Sequence, residues 1–361
     1  MVSTSELIIP VSKMRLIAGD PVKCAKAANL IYVSDSKPGI KRIKKGKGFL
    51  YILDKKKISN AEILDRIRHL VIPPAWKNVW ICTIENGHIQ ATGLDARNRK
   101  QYRYHSQWNL LRNQTKFSRL LLFGEKLPIL RLQLEKDLSR KELCLEKVLA
   151  AVIGVMERTY IRIGNSEYER TNGSYGLTTL KDQHVKISGD SIQFSFTGKK
   201  GIAHRINLSN KKLAKIVKQC REIPGKELFQ YYDEQGNAHH VDSGMVNHYI
   251  REITGEDFTA KDFRTWAGTL NALKAFKELG QAETQTAIRK KVIEALEYVS
   301  KKLGNTKTVC KKYYIHPVII DLFEKQSLSA YLAELDKIEK DDELTGWTKN
   351  ETILMSILRS N

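Results

Sequence analysis

Cysteine is scarce in this sequence and is never clustered. The 361 residues include only five cysteines, and no two of them have the Cys-x-x-Cys spacing of a zinc site or a redox motif. No histidine clusters with them either. These absences argue against a zinc site and against a disulfide framework, so we expect a reducing compartment. The cysteines are Cys24, Cys82, Cys144, Cys220 and Cys310.

Long apolar runs are also missing. No stretch approaches the roughly 18 consecutive apolar residues that a transmembrane helix needs. Near the start of the sequence, the apolar run Leu7–Ile9 is ended by Pro10, and no secretory signal peptide is evident. We therefore expect a cytoplasmic protein.

Two common devices of phosphate chemistry are absent from the sequence as well. There is no acidic cluster with metal-ligand spacing and no glycine-rich P-loop. If this chain acts on phosphate esters, tyrosine, arginine and lysine side chains have to do the chemistry. We expect neither a cofactor nor a metal ion.

The charge balance is strongly positive. Lysine and arginine number 61 against 40 acidic residues, which gives a net charge of +21. The first 108 residues hold 13 lysines and 7 arginines against 8 acidic residues, so over half of the surplus lies in the first third of the chain. Basic proteins bind polyanions because neutralised phosphates release counterions. The charge favours a nucleic-acid partner and leaves an anionic membrane surface open as the alternative.

The pattern of apolar residues divides the chain into two parts. A length of 361 residues suits two domains, and a hydrophobic content of 42% suits a substantial core. Helical periodicity takes over from about residue 108 and is interrupted by a β segment at about 175–207. We predict an α+β protein: a small N-terminal domain with an antiparallel sheet, residues 1–107, and a larger, mostly helical domain with a short sheet, residues 108–361.

Local signals in the N-terminal part predict individual elements. Residues 27–33 and 49–53 have the composition of short strands. The Asn-Gly pair at 86–87 joins two further strand candidates in a hairpin. Ser59, followed by Glu62, has the spacing of a capping box and predicts the start of a helix.

Cleavage of a phosphodiester without a metal ion needs a nucleophile, cations for the non-bridging oxygens and an acid for the leaving alkoxide. Any single candidate is weak evidence, because the chain has 14 tyrosines and 61 basic residues. The signal lies in five short groups of residues in one order. These groups are Arg162–Asn165 with Tyr175–Leu180, then Phe196–Lys200, Lys261–Trp266, Leu303–Thr306 and Val309–Pro317.

This set resembles the active-site segments of type IB DNA topoisomerases, in the compact form found in bacteria and poxviruses. Three further segments are similar to the N-terminal domain of the bacterial group, and the similarity runs from about residue 38 to residue 320. Motifs of this length are individually weak, but their common order is not expected by chance. The N-terminal segments are Ile72–Trp76, Gly87–Gly93 and Lys100–His105.

The resemblance implies a role for each of five residues. Tyr314 would attack the scissile phosphorus and become linked to the 3′-phosphate, which leaves the 5′-hydroxyl strand free to rotate. Arg162 and Arg264 would donate hydrogen bonds to the non-bridging oxygens, since planar guanidinium groups suit phosphate geometry. Lys199 would protonate the leaving 5′ oxygen. Asn305, where poxviral and eukaryotic relatives usually carry histidine, would donate a hydrogen bond to a phosphate oxygen.

Two neighbouring residues separate this interpretation from its alternatives. Tyr313 is the rival nucleophile, but the family pattern Tyr-Ile-His-Pro favours Tyr314. Lys261 stands where tyrosine recombinases, which share the catalytic plan, typically carry histidine, and it therefore favours a topoisomerase. Lys261 and Arg264 share one helix face, so both are expected to meet phosphates. A solvated surface lysine is the alternative for Lys261.

The N-terminal segment that begins at Lys100 carries the expected contacts with DNA outside the active site. Lys100, Gln101, Tyr102 and Tyr104 combine a cation, an amide and two aromatic rings, which suits groove edges and sugars. The alternative is a strand with alternating packing, because Tyr102 and Tyr104 share one face.

The resemblance thus implies a monomeric, nucleoid-associated enzyme that encloses double-stranded DNA in a C-shaped clamp. It would relax positive and negative supercoils without ATP. A tyrosine recombinase and a DNA-binding protein without activity stay open as other classes. Asn305 favours a bacterial source over a viral one.

Overall fold

By their internal contacts, the residues form two units, Met1–Arg119 and Leu120–Asn361. The division falls inside a long helix, near whose start the boundary was predicted from the sequence. In the part of the chain that the structure covers, no helix is both long and apolar enough to cross a lipid bilayer. The computed structural model describes residues 20–46, 48–96, 98, 100–335 and 345–360.

A six-stranded antiparallel sheet forms the centre of the first unit. Its spatial order is β3-β2-β1-β4-β5-β6. One face packs on Ile67 from helix α2 (Ala61–His69), and Ile40, Val79 and Ile81 lie in the same small core. The strands are β1 (Ile40–Lys45), β2 (Gly48–Leu53), β3 (Lys56–Lys57), β4 (Lys77–Ile81), β5 (Ile89–Leu94) and β6 (Lys100–Tyr104).

The strand predicted at 27–33 is wrong. Helix α1 (Pro21–Ala27) occupies its start, because the Asp20 carboxylate caps the helix by accepting a hydrogen bond from the Val22 backbone N–H at 2.9 Å. The apolar residues that follow, including Leu30, pack against Trp108 in a second small core. Apolar composition alone did not distinguish this packing from a strand.

The other local predictions for this unit are mostly confirmed. The strand at 49–53 is β2, and β4 and β5 pair in an antiparallel hairpin around the Asn-Gly pair at 86–87. The capping residue of α2 was predicted wrongly. Asn60 caps the helix instead of Ser59, and its side chain accepts a hydrogen bond from the Ile63 backbone N–H at 3.0 Å.

Helices dominate the second unit. The boundary between the two units falls within α3 (Ser106–Leu138). Helix α4 (Leu145–Thr159) is buried along nearly its whole length, as is most of α8 (Ala260–Leu279). The other helices are α5 (Ser166–Asn172), α6 (Lys211–Glu222), α7 (Ser243–Thr254), α9 (Gln285–Leu303), α10 (Lys307–Tyr313), α11 (Pro317–Glu324), α12 (Ser329–Glu334) and α13 (Lys349–Ser360).

A three-stranded antiparallel sheet lies within the predicted β segment of this unit. Its order is β7-β8-β9, and Ile192, Phe194 and Phe196 of β8 alternate inward as their spacing predicted. A two-stranded hairpin follows. The predicted α+β class is confirmed, with an antiparallel sheet in the first unit and a larger helical unit after it. These strands are β7 (Val185–Ser188), β8 (Ser191–Thr197), β9 (Ala203–Ser209), β10 (Gln230–Tyr232) and β11 (Ala238–His240).

Candidate active site

The backbone that carries Arg162 is held in place by a neighbouring segment. Helix α4 ends at Thr159, and the left-handed conformation (φ 58°) of the next residue, Tyr160, redirects the chain. The Leu177 backbone N–H then donates a hydrogen bond to the Arg162 carbonyl at 2.9 Å. A Cβ added at Gly176 would lie 2.5 Å from the backbone of Gly164, so glycine permits this close approach.

The side chain of Arg162 binds the turn that follows α9. Its Nη2 lies 3.0 Å from the Gly304 carbonyl oxygen and 2.7 Å from Oδ1 of Asn305. A Cβ added at Gly304 would lie 2.5 Å from Cε1 of His204, so this ring packs against the turn. His204 also stacks on Phe196, with 5.0 Å between the ring centroids. No sequence motif indicated this supporting position of His204.

Arg264 lies in the second turn of α8 and is only 4% exposed. Its Nη1 donates a hydrogen bond to the Tyr160 carbonyl, and its Nη2 donates one to the Leu303 carbonyl at 2.7 Å. Leu303 is the last residue of α9, so Arg264 satisfies carbonyls at the C-terminal ends of two helices. Its Nε is buried and has no acceptor among the described residues.

Tyr314 directly follows α10, and its ring lies beside Arg264. The guanidinium carbon is 5.2 Å from the centroid of the ring. The Tyr314 backbone N–H donates a hydrogen bond to the Cys310 carbonyl at 2.9 Å. Helix α8 comes so close that a Cβ added at Gly268 would overlap the Tyr314 carbonyl oxygen. The nucleophile predicted from the sequence is therefore packed tightly against the helix that carries Arg264.

The two guanidinium groups form an electropositive site. Burial lowers the pKa of Arg162 to about 10, and the nearby charge of Arg264 acts in the same direction. Burial also lowers the pKa of Arg264, and no described carboxylate forms an ion pair with either group. The Nδ2 of Asn305 is buried without an acceptor among the described residues. Uncompensated cations and an unused donor together favour a bound anion.

Cys310 is a second reactive residue type at this site. It is fully buried, and burial raises the pKa of its thiol to about 11, although the two arginines oppose the shift. The thiol is therefore protonated near neutral pH and is a poor competitor for the role of nucleophile. Among the described residues, no group of three or more histidine, cysteine or acidic side chains is placed to hold a metal ion.

Lys199 has no described contact with the other four predicted residues. It stands in the turn after β8, is exposed, and has its ammonium nitrogen 5.9 Å from the ring centroid of Tyr168. The preceding residue, Gly198, lines a small cavity together with Arg162 and Leu303. The structure thus brings together Arg162, Arg264, Asn305 and Tyr314, with Lys199 on a turn at the edge of this group.

The two residues that separated the alternative interpretations are both exposed. Lys261 lies in the first turn of α8, one turn before Arg264. Tyr313 is 39% exposed and has the ammonium nitrogen of Lys312 5.4 Å from its ring centroid. Neither position contradicts the sequence-based choice of Tyr314.

The predicted DNA-contacting residues of the first unit lie on β6. Lys100 forms an ion pair with Asp35 at 2.6 Å, and the Gln101 amide donates a hydrogen bond to a carboxylate oxygen of Asp95 at 2.9 Å. Tyr102 and Tyr104 stack with 5.7 Å between their ring centroids, and Tyr102 is 42% exposed. The shared face of the two tyrosines is as predicted, and the contact with DNA stays a prediction.

Comparison with known proteins identifies the family. The family profile described as "Eukaryotic DNA topoisomerase I, catalytic core" matches residues 105–341, and "Bacterial DNA topoisomerase IB, N-terminal domain" matches residues 48–95. The chain is 33% identical over 294 residues to DNA topoisomerase 1B of Acanthamoeba polyphaga mimivirus, covering 79% of this chain and 88% of the relative. It is 22% identical over 273 residues to DNA topoisomerase 1B of Vaccinia virus (strain Copenhagen), covering 74% and 82%. The chain therefore belongs to the type IB DNA topoisomerases.

Proposed function

We propose that this topoisomerase cuts one strand of duplex DNA with Tyr314, holds the cut as a 3′-phosphotyrosine bond, and reseals it after the strand has rotated. Arg162, Arg264 and Asn305 would bind the non-bridging oxygens of the scissile phosphate. Lys199 would supply the proton to the leaving 5′ oxygen.

The observation that carries this proposal is the set of unused donors around Tyr314. The half-buried guanidinium group of Arg162 and the buried one of Arg264 have no carboxylate partner among the described residues, and the Nε of Arg264 and Nδ2 of Asn305 have no described acceptor. Leaving buried donors unsatisfied costs roughly 1–3 kcal/mol each. A phosphate group supplies both the acceptors and the negative charge that would relieve this cost.

The reaction follows from where charge develops. As the Tyr314 oxygen attacks phosphorus, its hydroxyl proton passes to water. Negative charge grows on the non-bridging oxygens, and fixed guanidinium donors stabilise that charge. The bond between phosphorus and the 5′ oxygen breaks, and this oxygen takes a proton from Lys199. One phosphoester replaces another, so resealing needs no ATP. Torsion in the DNA drives rotation, and supercoils of either sign relax.

Lys199 has to reach the leaving oxygen from an exposed turn. The turn contains Lys200 in a left-handed conformation (φ 66°) and Gly201 (φ 76°), and Lys199 has no ion-pair partner among the described residues. An unpaired ammonium on a short turn can change its position at little cost when a phosphate arrives. We therefore propose Lys199 as the general acid although it has no described contact with the other four residues.

The remaining expectations belong to the same proposal. Lys100, Gln101, Tyr102, Tyr104 and Lys261 would contact duplex DNA away from the cleaved bond, and the enzyme would act as a monomer. Its place of action would be the cytoplasm, on the nucleoid or on viral DNA. The relatives named above are viral, whereas the matched N-terminal profile is bacterial, so both sources stay open.

A plasmid relaxation assay with EDTA and without ATP tests the proposal. We expect the Tyr314→Phe variant to lose relaxation and the denaturant-resistant protein–DNA adduct, while it retains salt-sensitive binding to DNA. Tyr313→Phe is the matched control, because it removes the neighbouring hydroxyl, and it should keep both activities. Relaxation by the Tyr314→Phe variant would refute the assignment of the nucleophile.

A further inference from the structure

A buried charge cluster connects the C-terminal helix to the second unit. Arg131 of α3 is 3% exposed and donates hydrogen bonds to two carboxylates. It reaches Glu157 of α4 at 2.6 Å and 2.8 Å, and Glu351 of α13 at 2.7 Å and 2.8 Å. These bonds connect three helices through one guanidinium group.

Glu351 has further partners that fix its orientation. One of its oxygens accepts a hydrogen bond from the indole N–H of Trp266 at 2.9 Å, and the other accepts one from the Thr348 backbone N–H at 2.9 Å. Close by, the Trp347 indole N–H donates to the Gly124 carbonyl at 2.7 Å. The start of α13 is therefore attached to α3 and α8 at several points.

The cluster lies close in sequence to both residues of the hydrogen bond that orients Arg264: the donor, Arg264 on α8, and the acceptor, Tyr160 after α4. Trp266 follows Arg264 by two residues on α8, and it contacts Glu351 directly. Glu157 precedes Tyr160 by three residues at the end of α4, and the Tyr160 carbonyl accepts the Arg264 hydrogen bond. Glu351 of α13 thus contacts α8 directly and is connected to α4 through Arg131, and the relative position of these two helices sets the geometry of Arg264.

The cluster is held in its charged form. Burial by itself would raise the pKa of Glu351, but hydrogen bonds and charge from Arg131 outweigh burial and keep the pKa below its usual value. Burial would lower the pKa of Arg131, but the charges of Glu157 and Glu351 outweigh it and raise the pKa. Glu351 therefore carries its charge at neutral pH, and its removal leaves Arg131 with one carboxylate.

We propose that Glu351 is a positioning residue for cleavage, which holds α8 and the end of α4 so that Arg264 faces the scissile phosphate. This inference rests on the proposed catalytic role of Arg264. It assigns a function to a segment that lies beyond residues 105–341, the range matched by the catalytic-core profile.

Single-turnover cleavage of a labelled duplex, at saturating enzyme and well below the melting temperature, tests the proposal. For Glu351→Ala we expect the rate of covalent adduct formation to fall at least tenfold while the affinity for DNA changes less than twofold. Glu351→Gln keeps an acceptor for the Trp266 indole but loses the charge, so its rate should fall at least threefold. If the alanine variant does not fold, the cleavage rate of Glu351→Gln tests the proposal by itself.

Asp137→Asn is the matched control. Asp137 is also a buried carboxylate of α3, and it accepts hydrogen bonds from Arg140 at 2.7 Å and from the Tyr249 hydroxyl at 2.6 Å. Arg140 lies in the segment after α3 and Tyr249 lies on α7, and neither forms a described hydrogen bond with Arg162, Arg264, Asn305 or Tyr314. The control should be destabilised like the Glu351 variants and should still cleave within twofold of the wild-type rate.

A neutral methylphosphonate at the scissile position separates positioning from general damage. It lacks one negative oxygen, so cleavage depends less on a correctly placed guanidinium group, and the loss caused by Glu351→Ala should shrink at least threefold. Equal losses on both substrates, or wild-type cleavage by Glu351→Gln, would overturn the inference. Arg264→Ala distinguishes a failure of this inference from a failure of the proposed function. If that variant cleaves normally, the proposed function itself is wrong.

Discussion

Replacing Gly268 with alanine tests how closely cleavage depends on the position of Tyr314. A Cβ at Gly268 would overlap the Tyr314 carbonyl oxygen and lie 3.0 Å from the Cβ of Tyr314. Non-bonded carbon atoms pack at roughly 3.5–4.0 Å. The overlapping atom belongs to the backbone, so the segment that carries Tyr314 has to move by about 0.5–1 Å.

The expected effect is large on the rate and small on stability. A displacement of about 1 Å in a reacting group costs about 10²-fold in rate, and we expect a loss of this order in adduct formation. Exchanging glycine for alanine within a helix stabilises by roughly 0.5–1 kcal/mol, whereas overpacking costs roughly 1–3 kcal/mol. The free energy of unfolding of the variant should therefore be at most about 2.5 kcal/mol lower than that of the wild type.

The assay is single-turnover formation of the covalent adduct on a labelled duplex, resolved on a denaturing gel. Gly154→Ala on α4 is the matched control, since its added Cβ would first meet the flexible side chain of Leu213 at 3.2 Å. The control should cleave at the wild-type rate. If Gly268→Ala also cleaves at that rate while it binds DNA normally, the close packing of α8 against Tyr314 does not control the attack.

Three further predictions concern the acid, the DNA contact and the buried cluster. Lys199→Ala should slow cleavage by about 10²–10⁴-fold, and a substrate with a sulfur in place of the 5′ bridging oxygen should restore the rate because it leaves without protonation; a failure of this rescue would argue against the general-acid role. Lys100→Ala should weaken DNA binding. The slope of the logarithm of the binding constant against the logarithm of the salt concentration should become shallower by about 1, as measured by titration at several salt concentrations. Glu351→Ala should lower the free energy of unfolding in urea by about 3–5 kcal/mol, because it leaves Arg131 short of a partner in a buried site; a change below about 1 kcal/mol would show that the cluster adds little.

Much of the fold was predictable because its signals are local. Alternation of Ile192, Phe194 and Phe196 predicted β8, and the Asn-Gly pair at 86–87 predicted the hairpin of β4 and β5. The strand predicted at 27–33 was wrong, since apolar residues without clear alternation also suit the end of a helix and a packed loop. The burial of Leu30 in one small core with Trp108, far along the chain, and the single bridge of Ile31 to Gly87 distinguish these cases.

The candidate site was also predictable in part: motifs indicated its residues, but not the contacts that hold them. Short motifs in a family order identified Arg162, Arg264, Asn305 and Tyr314, and the structure brings these four together. No motif indicated that carbonyl groups of Tyr160 and Leu303 would hold Arg264, because a carbonyl is present at every residue.

The order and chemical type of the proposed catalytic groups can be read from the sequence alone: a tyrosine, two arginines, a lysine and an amide, without a metal-binding motif. The tertiary structure decided which of these groups meet. It places the charges of Arg162 and Arg264 near each other without a described carboxylate between them, and it brings Glu351 of the last helix to Arg131. Such contacts join residues separated by fifty positions or more, and their energies depend on burial and distance. A linear pattern contains neither quantity, so only the folded chain reveals them.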